Sequence, residues 1–212
     1  METHELIKAL AADSRRTGVA MNTVWWGAVF VAIVVAATVF FALLGLRPDI
    51  ASAAQTVRFL FKFVVTIALA ASAFGLLRLL SRPELDPRVV LPYLAIAPAL
   101  ILAGVAIELT VAPAETWSTR LVGTNSLVCL TFIPLIGIGP LALLLLALRH
   151  GAPSHPALAG AIAGLAAGGI AATFYASHCT DDSPLFVATW YTIAIAGLAL
   201  LGALTGRQIA RW

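Results

Sequence analysis

The sequence predicts an all-α membrane protein, a bundle of six transmembrane helices with a short amphipathic helix before it. Of the 212 residues, 61% are hydrophobic and 11% are charged, whereas a soluble domain carries about 25% charged residues. Such a chain cannot cover its apolar surface with its own polar groups, so lipid must solvate much of it. Six apolar runs each approach the ~20 residues that a spanning helix needs. They cover residues 23–46, 58–80, 89–112, 126–148, 156–177 and 184–206.

A polar segment, residues 1–21, precedes the first run and is expected to form a cytoplasmic head, followed by a transmembrane domain over residues 22–212. Within this head, Leu6, Ile7, Leu10 and Ala11 repeat at the spacing that gives a helix one apolar stripe. About three helical turns are marginal in isolation, so we expect the stripe to be ordered by a partner or a membrane surface. The alternative is a solvated leader that ends in a basic flank.

Start signals and small residues mark the later runs. Ser183 followed by Pro184 fits a helix N-cap with proline in the first turn, and His155 followed by Pro156 also places proline there. The fifth run contains glycines at every fourth position over 160–168, a spacing that lets two helix backbones approach closely. This spacing favours packing inside the bundle, with a homodimer face as the alternative.

The distribution of basic residues predicts the orientation of the bundle. If the N-terminus is inside, nine basic residues lie on the cytoplasmic side: Lys8, Arg15, Arg16, Arg78, Arg82, Arg88, Arg149, Arg207 and Arg211. Four lie outside: Arg47, Arg58, Lys62 and Arg120. Both termini are therefore predicted to be cytoplasmic.

The most polar segment in the second half of the chain runs from His178 to Pro184 and contains one of the two cysteines. The predicted orientation puts it at the outer end of the fifth run. Cys129 lies about one turn from the outer end of the fourth run, and Glu108 about one turn from that of the third. One outer layer is therefore expected to bring together residues far apart in sequence: Cys129, Cys179, His178, Asp181 and Glu108.

Three interpretations of this layer stay open. Thiolates and imidazole suit zinc, copper(I) or cadmium, and two thiols near an oxidising compartment can form a disulfide, so the layer could be a metal or redox sensor. The second interpretation is structural, because Asp182 and Ser183 can cap the sixth helix and cysteine is a common core residue. The third is a transport site, since buried carboxylates in membranes tend to be functional. Glu108 could equally form an ion pair with Arg58 or Lys62.

Catalytic signatures such as a glycine-rich phosphate loop or Gly-x-Ser-x-Gly are absent from the sequence, so we predict that the protein is not an enzyme. The alternative from another class is a small membrane transporter or thiol oxidoreductase. An oxidoreductase would normally need a second cysteine pair to pass electrons on. A transporter would need a polar path, whereas the middles of the first, fifth and sixth runs contain no ionisable residue.

Four stretches of the sequence resemble the NrsF family, six-span inner-membrane proteins of Gram-negative bacteria named as negative regulators of an extracytoplasmic-function sigma factor. The resemblance covers essentially the whole chain and is most specific around Cys179. The stretches are Glu5-Leu6-Ile7-x-x-Leu10-Ala11-x-Asp13, Asn125-Ser126-Leu127-x-Cys129-Leu130 with Ile133-Pro134, Arg149-x-Gly151-x-Pro153, and His178-Cys179-x-Asp181-Asp182-Ser183-Pro184-x-Phe186-x-x-x-Trp190-Tyr191.

The resemblance implies an anti-sigma factor that regulates transcription without touching nucleic acid itself. The cytoplasmic head would hold an extracytoplasmic-function sigma factor away from RNA polymerase. Heavy metal or oxidative stress in the periplasm would act through Cys129 and Cys179 and release it. No constitutive cofactor is implied, only a heavy-metal ligand at the cysteine pair, with His178, Asp181 and Glu108 as weaker candidates. The expected partner-binding residues are Leu6, Ile7, Leu10, Ala11 and Asp13.

Overall fold

Six long apolar helices dominate the computed structural model, which describes residues 4–5, 21–81, 91–151 and 153–209. They are α1 (Met21–Leu43), α2 (Val57–Leu80), α3 (Pro92–Val111), α4 (Ser126–Leu148), α5 (Pro156–Ala176) and α6 (Pro184–Gln208). Each is long and apolar enough to cross a membrane, and the described ranges contain no strand. The predicted all-α membrane fold with six spanning helices is confirmed.

The helix boundaries follow local signals. α1 ends at Leu43, three residues before the predicted end, because Gly45 adopts a positive φ of 73° and its N–H bonds to the Phe40 carbonyl. This left-handed stop is common after a helix. At α6, the Ser183 hydroxyl accepts a hydrogen bond from the Leu185 N–H, which confirms the predicted cap. The first turn of α5 begins with Pro156, as predicted.

Two of the six helices are irregular. α3 is interrupted at Ala95, and its longer segment begins at Ile96, just before Pro98, which has no N–H to donate. α6 contains a π-helical turn over Val187–Tyr191, between a short first segment (Pro184–Phe186) and the regular helix that begins at Thr192. A proline inside the third run can kink a helix, whereas the hydropathy of the sequence does not predict the π-helical turn.

The most buried of the six helices is α5, which packs against α6, α2 and α4. Its glycines make this packing close. A methyl group at Gly160 would collide with the Gly202 carbonyl of α6, and one at Gly164 would collide with the Leu198 carbonyl. The glycine spacing therefore serves packing inside the bundle, as predicted.

The connections lie at two ends of the bundle. The end that we call the cysteine end carries the segments 44–56, 112–125 and 177–183, which join α1 to α2, α3 to α4 and α5 to α6. The segment 112–125 contains a 3₁₀ turn (Ala114–Thr116) and a short helix (Trp117–Val122). The opposite end, the terminal end, is where α1 begins at Met21 and α6 finishes.

Candidate functional site

The two cysteines lie at the cysteine end, and both are completely buried free thiols. Cys129 is in the first turn of α4, and Cys179 follows α5 in the connecting loop. The Cys129 N–H donates to the Asn125 carbonyl at 2.8 Å, while the Cys179 N–H donates to the Tyr175 carbonyl at 3.0 Å. The Tyr175 hydroxyl in turn donates to the Asn125 carbonyl at 3.5 Å, so one side chain links the two cysteine segments. Both cysteines belong to the same hydrophobic core.

The environment of Cys179 keeps its thiol protonated. Burial raises the pKa of this thiol, and the nearby Lys62 ammonium only partly opposes the effect. The Cys179 Sγ lies 3.8 Å from the Asp181 carbonyl oxygen, to which the thiol can donate. A thiol in this state reacts slowly, because the thiolate is the nucleophile and the metal ligand. Metal capture or oxidation at this position must therefore release a proton.

Two buried cations hold the loop that carries Cys179. The Lys62 side chain, from α2, is fully buried, and its Nζ lies 2.6 Å from Asp182 Oδ1 and 2.8 Å from the Cys179 carbonyl oxygen. Arg47, 7% exposed, donates from Nη1 to Asp182 Oδ2 at 3.0 Å and to the same Cys179 carbonyl at 3.2 Å. We call Arg47, Lys62 and Asp182 the cation clamp. It fixes the backbone of Cys179 to the end of α1 and to α2.

A second carboxylate extends the clamp towards the surface. Asp49 accepts two hydrogen bonds of 2.7 Å from the Arg47 guanidinium. These bonds hold the pKa of Asp49 below its ordinary value, although some desolvation opposes the shift. The pKa of Arg47 moves further above its own high value, chiefly through Asp49, with Asp182 contributing and burial acting in the opposite sense. Arg47 is therefore a permanent cation at any physiological pH.

Asp181 ties the cysteine loop to the helix that carries Cys129. Its carboxylate accepts hydrogen bonds from the Thr124 N–H at 3.0 Å and the Asn125 N–H at 2.8 Å, just before α4 begins. The Asn125 side-chain amide adds a third bond at 2.9 Å. The chain reaches this carboxylate through Gly123, at φ 59°, where a methyl group would collide with Phe186 and Asp181. Because of these hydrogen bonds, a movement of the loop at Asp181 would also displace the start of α4.

The other two predicted site residues have partners of their own. The half-buried His178 ring places Nδ1 3.0 Å from the Gly45 carbonyl oxygen. Glu108, only 4% exposed, pairs through Oε1 with Arg120 at 2.6 Å and through Oε2 with Arg58 at 2.9 Å. The expected alternative of an ion pair with Arg58 is thus present, whereas Lys62 points to Asp182 instead.

Among the described residues, no group of three or more His, Cys, Asp or Glu side chains is arranged to hold a metal ion. The structure therefore brings Cys129 and Cys179 into one core and engages His178, Asp181 and Glu108 in separate hydrogen bonds. The groups in this arrangement that can react with a soft metal or an oxidant are the two thiols. Their role in sensing stays a prediction.

Sequence reasoning missed the cation clamp. The sequence predicts a helix cap as one interpretation of Asp182, and it predicts only an outer position for Arg47. A signal did exist, because a cation within an apolar run must find a partner in the bundle. Lys62 lies about two turns into α2 and so required one. Hydropathy gives its depth but does not give the direction in which it points.

The predicted head residues lie outside the described residues: Leu6, Ile7, Leu10, Ala11 and Asp13. Of this head, only His4 and Glu5 are described, as helical and exposed. The assignment of residues 1–21 to a separate sigma-binding head stays a prediction.

Comparisons with known proteins point to one family over the whole chain. The family model NrsF, described as negative regulator of sigma F, matches residues 10–212. The anti-sigma-F factor NrsF of Caulobacter vibrioides is 33% identical over 214 residues, and the alignment covers all of both chains. A probable anti-sigma-F factor NrsF of Azospira oryzae is 31% identical over 222 residues, again with both chains fully covered. No solved structure matches.

Proposed function

This chain belongs to the NrsF family of anti-sigma factors, and we propose that it holds an extracytoplasmic-function sigma factor through residues 1–21 until Cys129 and Cys179 react. The reacting agent is a heavy metal or an oxidant that arrives at the cysteine end. In this proposal the cysteine end faces the periplasm, both termini are cytoplasmic, and the protein lies in the bacterial inner membrane. The distribution of basic residues supports that orientation.

The cation clamp is the observation that carries the proposal. The carbonyl of Cys179 accepts hydrogen bonds from both Lys62 and Arg47, which are themselves buried. The Cys179 backbone cannot move without disturbing the hydrogen bonds that it accepts from these two buried cations. A buried ion pair that loses one partner typically costs about 3–5 kcal/mol. A chemical event at the thiol is therefore coupled to α1 and α2.

Two chemical events would engage the pair. A soft metal would bind both sulfurs as thiolates and displace two protons. Alternatively, a two-electron oxidant would take two electrons from the thiols, forming one S–S bond and releasing two protons. A disulfide needs Cα atoms no more than about 7 Å apart. Either event pulls the segment 177–183 towards the start of α4 and strains its contacts with the clamp.

The strain has a path to the head. Arg47 follows the end of α1, and Lys62 belongs to α2. At the terminal end, the same two helices are joined by a 2.6 Å hydrogen bond from the Arg78 guanidinium to Asn22. α1 begins at Met21, next to the head, so a shift of α1 against α2 changes how the head is presented. The signal shifts this equilibrium only by its different affinity for the two arrangements.

The first test replaces each thiol. Cys129→Ser and Cys179→Ser should each abolish induction of a sigma-dependent reporter by Cd²⁺ or by a thiol oxidant, because each removes half of the pair. Since the chain has only two cysteines, no other thiol can substitute. Thr131→Ala, on the exposed side of the same helix as Cys129, is the matched control and should respond normally. Normal induction in both cysteine variants would refute the sensor role.

The second test concerns the head and its proposed contact residues, Leu6, Ile7, Leu10, Ala11 and Asp13. Leu6→Glu or Leu10→Glu should release the sigma factor without any signal, because a charge in the apolar stripe opposes its burial. Ala12→Glu places the same charge on the opposite side of the predicted helix and should leave the complex intact. The measurement is co-purification of the sigma factor with the membrane protein. Wild-type recovery from both leucine variants would place the binding element elsewhere.

A further inference from the structure

A cavity of about 900 Å³ opens at the terminal end, far from the cysteines. Its walls come from the first turns of α1, the last turns of α2, the start of α3 and the segment that follows α4. We propose that this cavity binds one anionic phospholipid of the surrounding bilayer. The proposal concerns a second site, and it does not depend on the sensing role of the cysteine pair.

The polar rim of the cavity suits a phosphate group. The Arg78 guanidinium is held in place by its hydrogen bond to Asn22 and by the rings of Trp26 and Phe74, 5.4 Å and 5.9 Å from its central carbon. No carboxylate is among the described residues that line the cavity, and Arg78 forms no ion pair with any described residue. A guanidinium has five N–H donors in a fixed fork that matches a phosphate. Within the described residues, only the bond to Asn22 engages this guanidinium, which leaves most of its donors available to a ligand.

A second unsatisfied donor lies on the same cavity. The Trp25 side chain is 2% exposed and lines the wall, and its indole N–H has no hydrogen-bond partner among the residues that the structure describes. A buried polar group without a partner costs about 1–3 kcal/mol. The ester or phosphate oxygens of a lipid are acceptors that would remove this cost. Tyr93 and His150 add further polar groups at the exposed rim.

The floor of the cavity suits an acyl chain. Ala71, Gly75, Leu76 and Leu79 line it along α2. A methyl group at Gly75 would meet no atom within 4 Å, so this glycine leaves open space where any larger side chain would partly fill the slot. An apolar floor below a cationic rim is complementary to an anionic amphiphile.

The depth of the cavity favours a lipid over a soluble partner. Gly75 and Arg78 lie in the last two turns of the apolar span 57–80, so the floor is at the level of the hydrocarbon and the rim at that of the headgroups. Lipids already occupy this layer, whereas a soluble chain would have to displace them to enter it. Basic residues are also concentrated at the terminal end of the bundle, which favours an anionic headgroup.

Native mass spectrometry of the full-length protein tests the proposal, with phosphatidylglycerol and phosphatidylcholine of identical acyl chains added to the detergent-purified chain. The wild type should retain one phosphatidylglycerol and prefer it to phosphatidylcholine. Arg78→Gln should weaken that retention about fivefold, the effect expected for one cation near a lipid surface. Arg207→Gln, an exposed arginine at the same end, is the matched control and should change little.

Gly75→Phe provides an independent test of the same site. Gly75 lines the cavity, and a Cβ added there meets no atom within 4 Å, so we expect the variant to fold normally, to fill part of the cavity and to lose both lipids alike. Equal retention of the two lipids by the wild type, unchanged binding in Arg78→Gln, or unchanged binding in Gly75→Phe would each overturn the proposal. So would complete displacement of phosphatidylglycerol by a peptide of residues 1–21, which would make the cavity a docking site for the head.

Discussion

The two ends of the bundle differ in whether their described basic side chains form ion pairs. At the cysteine end, each of the four basic residues takes part in an ion pair: Arg47, Arg58, Lys62 and Arg120. At the terminal end, the structure contains no ion pair between described residues, and Arg78 bonds to a neutral amide. One end is closed by buried electrostatic contacts, and the other is open around a cavity.

This difference indicates which end can change state. Buried charges with several partners resist small movements, so the cysteine end should stay in one arrangement until a strong event such as metal capture or disulfide formation acts on it. At the terminal end the exposed charges cost little to rearrange. A rigid cysteine end joined by two long helices to a more loosely held terminal end would suit the proposed release of a partner there.

The largest expected difference lies between two cations on α2. Lys62→Met should lower the free energy of unfolding by about 3 kcal/mol, because it leaves the Cys179 carbonyl and Asp182 with Arg47 alone. Arg78→Met, at the other end of the same helix, should cost about 1 kcal/mol or less, since its charge is partly exposed. Chemical denaturation in a mild detergent measures both values. Similar losses in the two variants would show that the ends do not differ.

The fold could be predicted from the sequence because hydropathy reports depth. Run lengths and proline positions were enough to find six helices and the Ser183 cap, with boundaries within a few residues. The early end of α1 has a local cause, since Gly45 turns the chain with a positive φ that hydropathy does not encode.

The contacts of the candidate site were only partly predictable, because depth does not fix the rotation of a helix. The sequence predicts two possible partners for Glu108 at the right depth, Arg58 and Lys62, whereas in the structure Glu108 pairs with Arg58 and Arg120. Lys62 instead forms its ion pair with Asp182. The terminal cavity was not predictable either, since it depends on the space that Gly75 leaves between helices.

Two glycine substitutions test the same difference between the ends, with smaller expected changes in the free energy of unfolding. Gly123, at the cysteine end, has φ 59° and ψ −166°, a conformation that is essentially restricted to glycine. A methyl group there would also collide with Phe186 and Asp181, so Gly123→Ala should cost about 2 kcal/mol or more. Gly75→Ala, in open space within a helix, should instead gain about 0.5–1 kcal/mol. Thermal unfolding of both variants measures whether each substitution lowers or raises the stability. A loss of stability in Gly75→Ala would contradict the open cavity.

The smallest expected effect is a dependence of stability on pH at the cysteine end. Because Arg47 lowers the pKa of Asp49 in the folded state, the unfolded chain binds more protons there than the folded chain in acid. The stabilisation is complete above the ordinary aspartate pKa of about 4. It is lost as the pH falls through the lower folded pKa.

Asp49→Asn removes this contribution and leaves the rest of the clamp in place. The variant should be slightly less stable than the wild type at pH 7, and the two melting temperatures should converge as the pH falls below about 4. Glu115→Gln, an exposed carboxylate on the same side that is in no ion pair within the described residues, controls for the loss of a surface charge. A gap between wild type and Asp49→Asn that persists unchanged at pH 3 would mean that Asp49 acts through shape and not through its charge. The charge of Asp49 would then not contribute to holding Arg47 in the cation clamp.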